Sequence, residues 1–339
     1  MTDVLRVGCV GAGYFSRFHY DAWARIKGAQ PVASVDRDID KARATGLAAY
    51  DDLEVMLAEI RPDIVDIITP PQSHLDYIKI AVKARPQAII CQKPFCLDLD
   101  EAREAVALSK SSGIPIIVHE NFRFQPWYRA IKSELDKGRI GDILQLAFRL
   151  RPGDGQGPHA YLDRQPYFQE MPRFLVHETA VHWVDTFRFL IGEPDAVFAD
   201  LRQLNPVISG EDAGFLLFSY PNGVRAMFDG NRLLDHDAVN RRCTMGEALL
   251  EGTEGTLELK GDGSVTLRRF GTSIHQDILP PTMHDGFGGD CVYHLQNHVI
   301  QGLSGTRELE NLAADYLAVI EQENAIYTSA KTGAWVKLT

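Results

Sequence analysis

Apolar positions in the first third of the chain alternate between two periods. Short continuous runs at residues 5–10, 31–35, 64–68, 88–91 and 114–118 have the length and β-branched content of buried strands. Between them the spacing turns helical. In 14–26, Phe15, Phe18, Ala22 and Ile26 recur three or four residues apart, and 53–60, 74–84 and 100–111 read the same way, with Pro62 closing the second. Strand and helix in strict alternation predict a parallel sheet covered by helices.

After Asn121 the pattern changes. A helix at 127–135 is followed from Ile143 by longer strands with turn signals between them. Pro221-Asn222-Gly223 joins 215–220 to 224–228, and Gly261-Asp262-Gly263 joins 256–259 to 265–268, each predicting a hairpin. Helices are expected at 179–190 and 309–325. The stretch 151–158 holds Gly153, Gly155, Gly157, Pro152 and Pro158 and predicts a loop, with a lid as one use for it. The fold class expected is therefore α/β, with a dinucleotide-type domain over 1–120. A second α/β domain over 121–339 is expected, built on a largely antiparallel open sheet.

Composition narrows the function. The 339 residues are 45% hydrophobic, enough for two cores, and carry a formal charge of −11. A chain so acidic is a poor partner for nucleic acid or an anionic membrane. No window reaches the ~18 apolar residues of a spanning helix, and the start Met-Thr-Asp-Val-Leu-Arg enters a strand with no basic-then-apolar leader. Cys9, Cys91, Cys96, Cys243 and Cys291 are odd in number and form no CxxC pair. The expectation is a cytoplasmic protein without a disulfide framework.

Gly11-Ala12-Gly13 ends the first strand and opens the first helix. There Gly11 permits a tight bend, Gly13 lets backbone approach a pyrophosphate, and the helix N-terminus favours the anion. Ser16 stands where a third glycine is common and is small enough for close packing. An ordinary βα turn would also fit the glycines alone. Asp36, at the end of the second strand, argues for a nucleotide, because its carboxylate can accept from adenosine ribose hydroxyls and would repel a ribose phosphate. NAD is thus favoured over NADP, with Arg37 as the feature that leaves NADP open. Eighty residues on, Gln92-Lys93-Pro94 puts a cation at the end of a buried strand, where it can stabilise a developing alkoxide.

His182 lies four residues after Glu178, so a regular helix would show both on one face. A neutral imidazole can take a hydroxyl proton while a carboxylate orients the ring or binds a second hydroxyl. Spacing alone weighs this equally against a capping carboxylate and a satisfied histidine. His177-Glu178 with His182 is not a zinc-protease motif, since the second histidine comes one residue too late. His294 and His298 share a helical face without a third ligand, so no metal is expected.

In order along the chain come Gly11-Ala12-Gly13 with His19, Thr69-Pro70-Pro71 with His74, Gln92-Lys93-Pro94, and Arg123 with Pro126. His182-Trp183-Val184-Asp185, Gly252-Thr253-Glu254-Gly255-Thr256 and Ile326-Tyr327-Thr328-Ser329-Ala330 follow. This series, over nearly the whole chain, resembles the glucose–fructose oxidoreductase, inositol dehydrogenase and MocA family. The resemblance implies a Rossmann domain followed by a sheet domain, nicotinamide-dependent oxidation or reduction of sugars and polyols, and assembly into homodimers or homotetramers. It also implies catalytic roles for Lys93, His182 and Glu178, the last where the family commonly has aspartate. It extends the cofactor-binding set beyond Gly11, Gly13, Asp36 and Arg37 to Tyr14, Phe15, Thr69, Pro70 and His74. Gln92, Lys93 and Asn121 complete that set. For substrate it implies Lys93, Asn121, Tyr161, Arg164, Glu178 and His182. Arg123 is expected to brace the domains, and Tyr167 and Arg173 are further polar candidates.

Three departures stand out. Gln92 replaces the family's glutamate, Glu178 is one methylene longer than the aspartate common there, and Met171-Pro172-Arg173-Phe174 occupies a region where relatives often carry paired glycines. Within the family, the tracts Tyr14-Phe15-Ser16-Arg17-Phe18-His19-Tyr20 and Glu178-Thr179-Ala180-Val181-His182 resemble bacterial D-apiose dehydrogenases. The expected activity is NAD-dependent oxidation of an aldose at a carbinol or anomeric carbon, giving a lactone in the second case. Two alternatives stay open: a glycosidase that uses NAD for transient oxidation, and a non-catalytic dinucleotide and sugar sensor.

Overall fold

The protein is described by a computed structural model covering residues 4–283 and 286–338; Met1–Asp3 of the N-terminal reading lie outside it. The chain divides into two compact units, residues 1–121 with 291–320, and residues 122–290 with 321–339. The sequence placed a single cut after residue 120. Residues 291–320 instead belong with the first unit.

That unit begins with β1 (Leu5–Val10), α1 (Ser16–Arg25), β2 (Ala29–Val35), α2 (Ile39–Ala44), β3 (Ala48–Tyr50) and α3 (Leu53–Ile60). It continues through β4 (Ile64–Ile67), α4 (His74–Lys83), β5 (Ala88–Gln92), α5 (Leu99–Ser112) and β6 (Ile116–His119). The six strands are all parallel in the order β3-β2-β1-β4-β5-β6. The order reverses at β1, so a crevice opens beyond the carboxyl ends of β1 and β4, the usual ligand position in such a sheet. The strands read as unbroken apolar runs because helices cover both faces; Val7, Ile64, Val65, Ile67, Ile89 and Ile90 are wholly buried.

In the second unit, α6 (Pro126–Asp136) leads to β7 (Ile143–Leu150), and α7 (Val181–Ile191) follows a long connection. The remaining strands are β8 (Ala196–Arg202), β9 (Ala213–Ser219), β10 (Arg225–Asn231), β11 (Gly246–Gly252), β12 (Gly255–Leu259), β13 (Val265–Arg269) and β14 (His275–Leu279). The chain then forms α8 (Cys291–Leu303), α9 (Ala313–Thr332) and β15 (Val336–Lys337). The sheet order is β14-β13-β12-β11-β7-β10-β9-β8-β15, antiparallel except for the β10–β7 pair. Both hairpins read from the sequence are present.

One face of this sheet is core. Phe148 stacks on Trp183 of α7 at 4.3 Å between centroids, and Phe187 meets Phe218 edge-on at 5.9 Å. On the other face, Phe198, Leu217, Met227, Ala147 and Leu249 stand side by side on five neighbouring strands, each half-buried or exposed.

The late helix begins four residues after the expected position and runs past it to Thr332; Leu309 lies outside it. The helix α8, visible in the sequence only through the shared face of His294 and His298, packs on α1, which is why 291–320 joins the first unit.

Candidate functional site

The candidate nucleotide site starts at the turn after β1. Gly11 has φ +108°, and a Cβ there would lie 3.1 Å from the carbonyl carbon and oxygen of Ile68. Only glycine fits such a position. A Cβ on Gly13 would meet nothing within 4 Å, so open space faces that backbone. The first turn of α1 has no side-chain cap, since Phe15 occupies the N-cap position. An open cradle beside uncapped helix amides suits a pyrophosphate, and these residues fit NAD. Ser16 donates to the Gly13 carbonyl at 2.7 Å, which ties the turn to the helix.

Asp36 is half-buried at the end of β2. Its Oδ2 accepts from the Ala12 amide at 2.8 Å and its Oδ1 from the Asp38 amide at 2.9 Å. The residue read as a ribose ligand therefore also braces the glycine turn. Tyr20 donates to Gly11 O at 3.2 Å and pairs with Ser34 at 2.7 Å. Tyr14 and Arg37 are exposed; the Arg17 guanidinium lies 4.2 Å over the Tyr14 ring.

At the ends of β4 and β5, His74 organises two loops. Its Nε2 donates to Thr69 O at 2.7 Å, and its Nδ1 accepts a longer bond from Cys96 N at 3.4 Å. Burial lowers its pKa from the ordinary 6.5 to about 4, so the ring is neutral at physiological pH. Ser73 bridges Thr69 and Pro70. Gln92 is buried, Lys93 is half-buried, and the Gln92 Oε1 accepts from the Lys93 amide at 2.7 Å. Asn121 is buried, and its Oδ1 has no partner among the described residues, leaving an acceptor available to a ligand.

The second unit carries the proton-transfer candidates. Leu175–Ala180 forms a π-helical turn that runs directly into α7, where the sequence had predicted regular helix from 179. Such wide turns recur at functional sites. Glu211 holds this one: its Oε1 accepts from the Phe174 and Val176 amides at 3.2 and 3.1 Å and from Tyr327 Oη at 2.6 Å. Glu178 lies in the π turn, half-buried, and His182 in the first turn of α7. His182 stacks flat on Phe122, 3.8 Å between centroids at 4°. Arg123, expected as an interdomain brace, makes a two-toothed pair with Asp185, one turn along α7 from His182, at 2.7 and 2.5 Å.

Tyr161 and Arg164, read as substrate ligands, are drawn into an internal cluster. Arg232, 2% exposed, donates to Tyr161 Oη at 2.7 Å, Thr179 Oγ1 at 2.6 Å and Asp154 Oδ2 at 3.0 Å. Arg164 reaches the same Asp154 oxygen at 3.0 Å, and Tyr161 donates to Oδ1 at 3.1 Å. Burial alone would raise the Asp154 pKa, yet the two guanidinium groups win and hold it below the usual carboxylate range. This cluster pins the loop read as a lid: Gly155 N donates to Arg232 O, and Asn205 donates to the carbonyls of Gly155 and Gly157.

Sequence reading passed over both Asp154 and Asp66. Asp66 was visible as the one charged position in the apolar run 64–68. Among the described residues no group of His, Cys, Asp and Glu could hold a metal ion, and no helix is long and apolar enough to cross a membrane.

Residues 5–120 match the model of the Gfo/Idh/MocA oxidoreductase family with an NAD-binding Rossmann fold, and 128–258 match that family's C-terminal domain. A D-apiose dehydrogenase of Paraburkholderia graminis is 34% identical over 97% of this chain and 88% of its own length. A D-apiose dehydrogenase of Rhizobium rhizogenes is 30% identical over 100% and 98%. A crystal structure of an Agrobacterium radiobacter oxidoreductase in complex with NAD+, L-tartaric acid and magnesium superposes with a TM-score of 0.89, at 28% identity and covering 98% of each chain. The matches cover both units, and the glycine turn, Asp36 and the order of the parallel strands are those of a dinucleotide-binding domain: this chain belongs to the Gfo/Idh/MocA family of NAD-binding oxidoreductases.

Proposed function

We propose that the protein is an NAD-dependent dehydrogenase of an aldose, D-apiose first, acting at the anomeric carbinol to give the lactone. The observation that carries the substrate is the similarity along almost the full chain to two D-apiose dehydrogenases. Gly11, Gly13 and the amides of α1 would hold the pyrophosphate of NAD, and Asp36 the adenosine ribose. When bound, the nicotinamide supplies the acceptor for the hydride that leaves the carbinol carbon. Lys93 neutralises the alkoxide oxygen as charge builds on it. His182 takes the hydroxyl proton, its ring plane fixed by Phe122, and Glu178 orients a neighbouring hydroxyl from the π turn. Asn121 offers its Oδ1 to a substrate O–H or to the nicotinamide amide N–H.

The same reading makes the enzyme a cytoplasmic homodimer or homotetramer. Its support is the apolar row Phe198, Leu217, Met227, Ala147 and Leu249, beside which Asp200, Phe215, Asp229, Arg149 and Glu247 form the next row. A second copy would cover the apolar row and set acid against base at its edges. Mutating Leu217→Asp should then yield monomers in light scattering; an unchanged mass would refute this face as the contact.

The test of activity is nicotinamide reduction with NAD and NADP against apiose, other pentoses, hexoses, inositols and hydroxy acids. Turnover with apiose and NAD is expected. Lys93→Met should lose turnover and keep NAD binding by calorimetry, and a Lys93→Met enzyme at full rate would overturn the role given to Lys93.

A further inference from the structure

Asp66 stands in the middle of β4 with no solvent exposure. Its Oδ2 accepts from His19 Nδ1 at 2.8 Å, from Trp23 Nε1 at 2.8 Å and from Gln296 Nε2 at 3.3 Å. A carboxylate in a central strand is costly unless its charge is met, and nothing assigned above uses it. The contacts continue from the far side of the imidazole. His19 Nε2 lies 3.0 Å from Gln92 Nε2, and Gln92 Oε1 lies 2.7 Å from the Lys93 amide.

The direction of every bond in this chain is fixed from its backbone end. The amide of Lys93 can only donate, so Gln92 must face it with oxygen and point its NH2 group at His19. The imidazole nitrogen there must therefore be bare. The ring proton sits on Nδ1, where Asp66 accepts it. A reversed amide would set two donors against each other at the Lys93 end.

We propose that Asp66, His19 and Gln92 form a one-way hydrogen-bond relay that positions Lys93 by locking the orientation of its peptide; the proposal rests on the reading of Lys93 as the group that meets the substrate oxygen. Asp66 and His19 are then positioning residues, acting through Gln92. The relay also accounts for the amide at 92. A glutamate there offers acceptors only, so it would draw a second proton onto His19 and leave an imidazolium between two carboxylates. Glutamine instead donates to Nε2, and His119 lies beside the ring at 4.1 Å between centroids, tilted by 33°.

The experiment is nitrogen-15 NMR of histidine rings in the full-length protein at pH 7.5, with and without NAD, the His19 signals assigned by their loss in His19→Gln. The expected wild-type spectrum shows a neutral His19 protonated on Nδ1, and Gln92→Glu shows both ring nitrogens protonated. Asp66→Asn should leave the ring proton on Nδ1, where an amide oxygen still accepts it, but loosen the hold on the ring, lower kcat by about tenfold with the KM for NAD little changed, and move the acid limb of the kcat–pH profile. A wild-type ring protonated on Nε2, or an Asp66→Asn enzyme with wild-type kcat and pH profile, overturns the relay. Should Asp66→Asn not fold, the wild-type and Gln92→Glu spectra still decide. A wild type that reduces no nicotinamide with any sugar fails the dehydrogenase reading, whereas normal turnover with a misplaced ring proton fails the relay alone.

Discussion

The Asp36 Oδ2 atom lies 2.8 Å from the amide nitrogen of Ala12, so the carboxylate proposed to meet the ribose also holds the glycine turn. Asp36→Ala removes both services. NAD affinity should fall tenfold or more, roughly the worth of one charge-assisted hydrogen bond. Asp36→Asn keeps an acceptor for Ala12 and removes the charge that repels a 2′-phosphate, so it should narrow the gap between NAD and NADP. Calorimetric titration of both nucleotides reads the two effects, and unchanged NAD affinity in Asp36→Ala would refute the bracing role.

Gly11 and Gly13 should respond in opposite ways to alanine. At Gly11 the positive φ and the contact with Ile68 strain any Cβ, and Gly11→Ala should cost about 1–3 kcal/mol of stability. At Gly13 the Cβ meets no protein atom, so Gly13→Ala should fold with near wild-type stability and bind NAD at least tenfold more weakly, at about 1.4 kcal/mol or more. Urea unfolding beside NAD titration separates the two; equal behaviour of both variants would contradict the cradle.

His74 makes stability depend on pH. Its folded pKa of about 4 lies below the ordinary 6.5, so the unfolded chain binds the extra proton first as pH falls. The contribution is complete above pH 6.5 and is lost between there and pH 4, by about 3 kcal/mol in all. His74→Gln retains a donor toward Thr69 and has no proton to gain. Urea midpoints measured from pH 4.5 to 7.5 should slope less for the variant, and parallel slopes would count against a buried neutral ring.

Arg232 and Arg164 share Asp154 but differ in burial, with side-chain exposures of 3% and 17%. Arg232→Met strips partners from Tyr161, Thr179 and Asp154 at once and should cost about 3 kcal/mol or more. Arg164→Met leaves Asp154 paired with Arg232 and should cost about 1 kcal/mol or less. A rise in substrate KM in Arg164→Met at unchanged stability would instead return Arg164 to the substrate.

Much of the fold was legible in the sequence because its signals are local. Continuous apolar runs gave β1, β4 and β5, the helical period gave α1 and α5, and Pro221-Asn222-Gly223 gave a hairpin. Gly11 was legible too, since its backbone demand is written in its residue type. What the sequence hid depends on partners far away. Asp66 is stabilised by His19, 47 residues back, and by Gln296, 230 residues ahead, and no local pattern signals such a pairing. The π turn is stabilised by Glu211 and by Tyr327, and Arg232 lies 78 residues from Asp154. The short strand β3 was missed because three residues leave no measurable period.

The first unit is built from two separate pieces of chain, and this matters during synthesis. When residue 121 leaves the ribosome the six parallel strands exist, but Gln296 has not been made to meet Asp66. Asn311 and Tyr316 have not been made to meet Glu120. Two bonds to buried carboxylates and one to the Glu120 carbonyl thus wait for the last stretch of translation. A nascent chain stalled before residue 291 should expose this half to proteases, and binding of the nucleotide should mature only late in elongation.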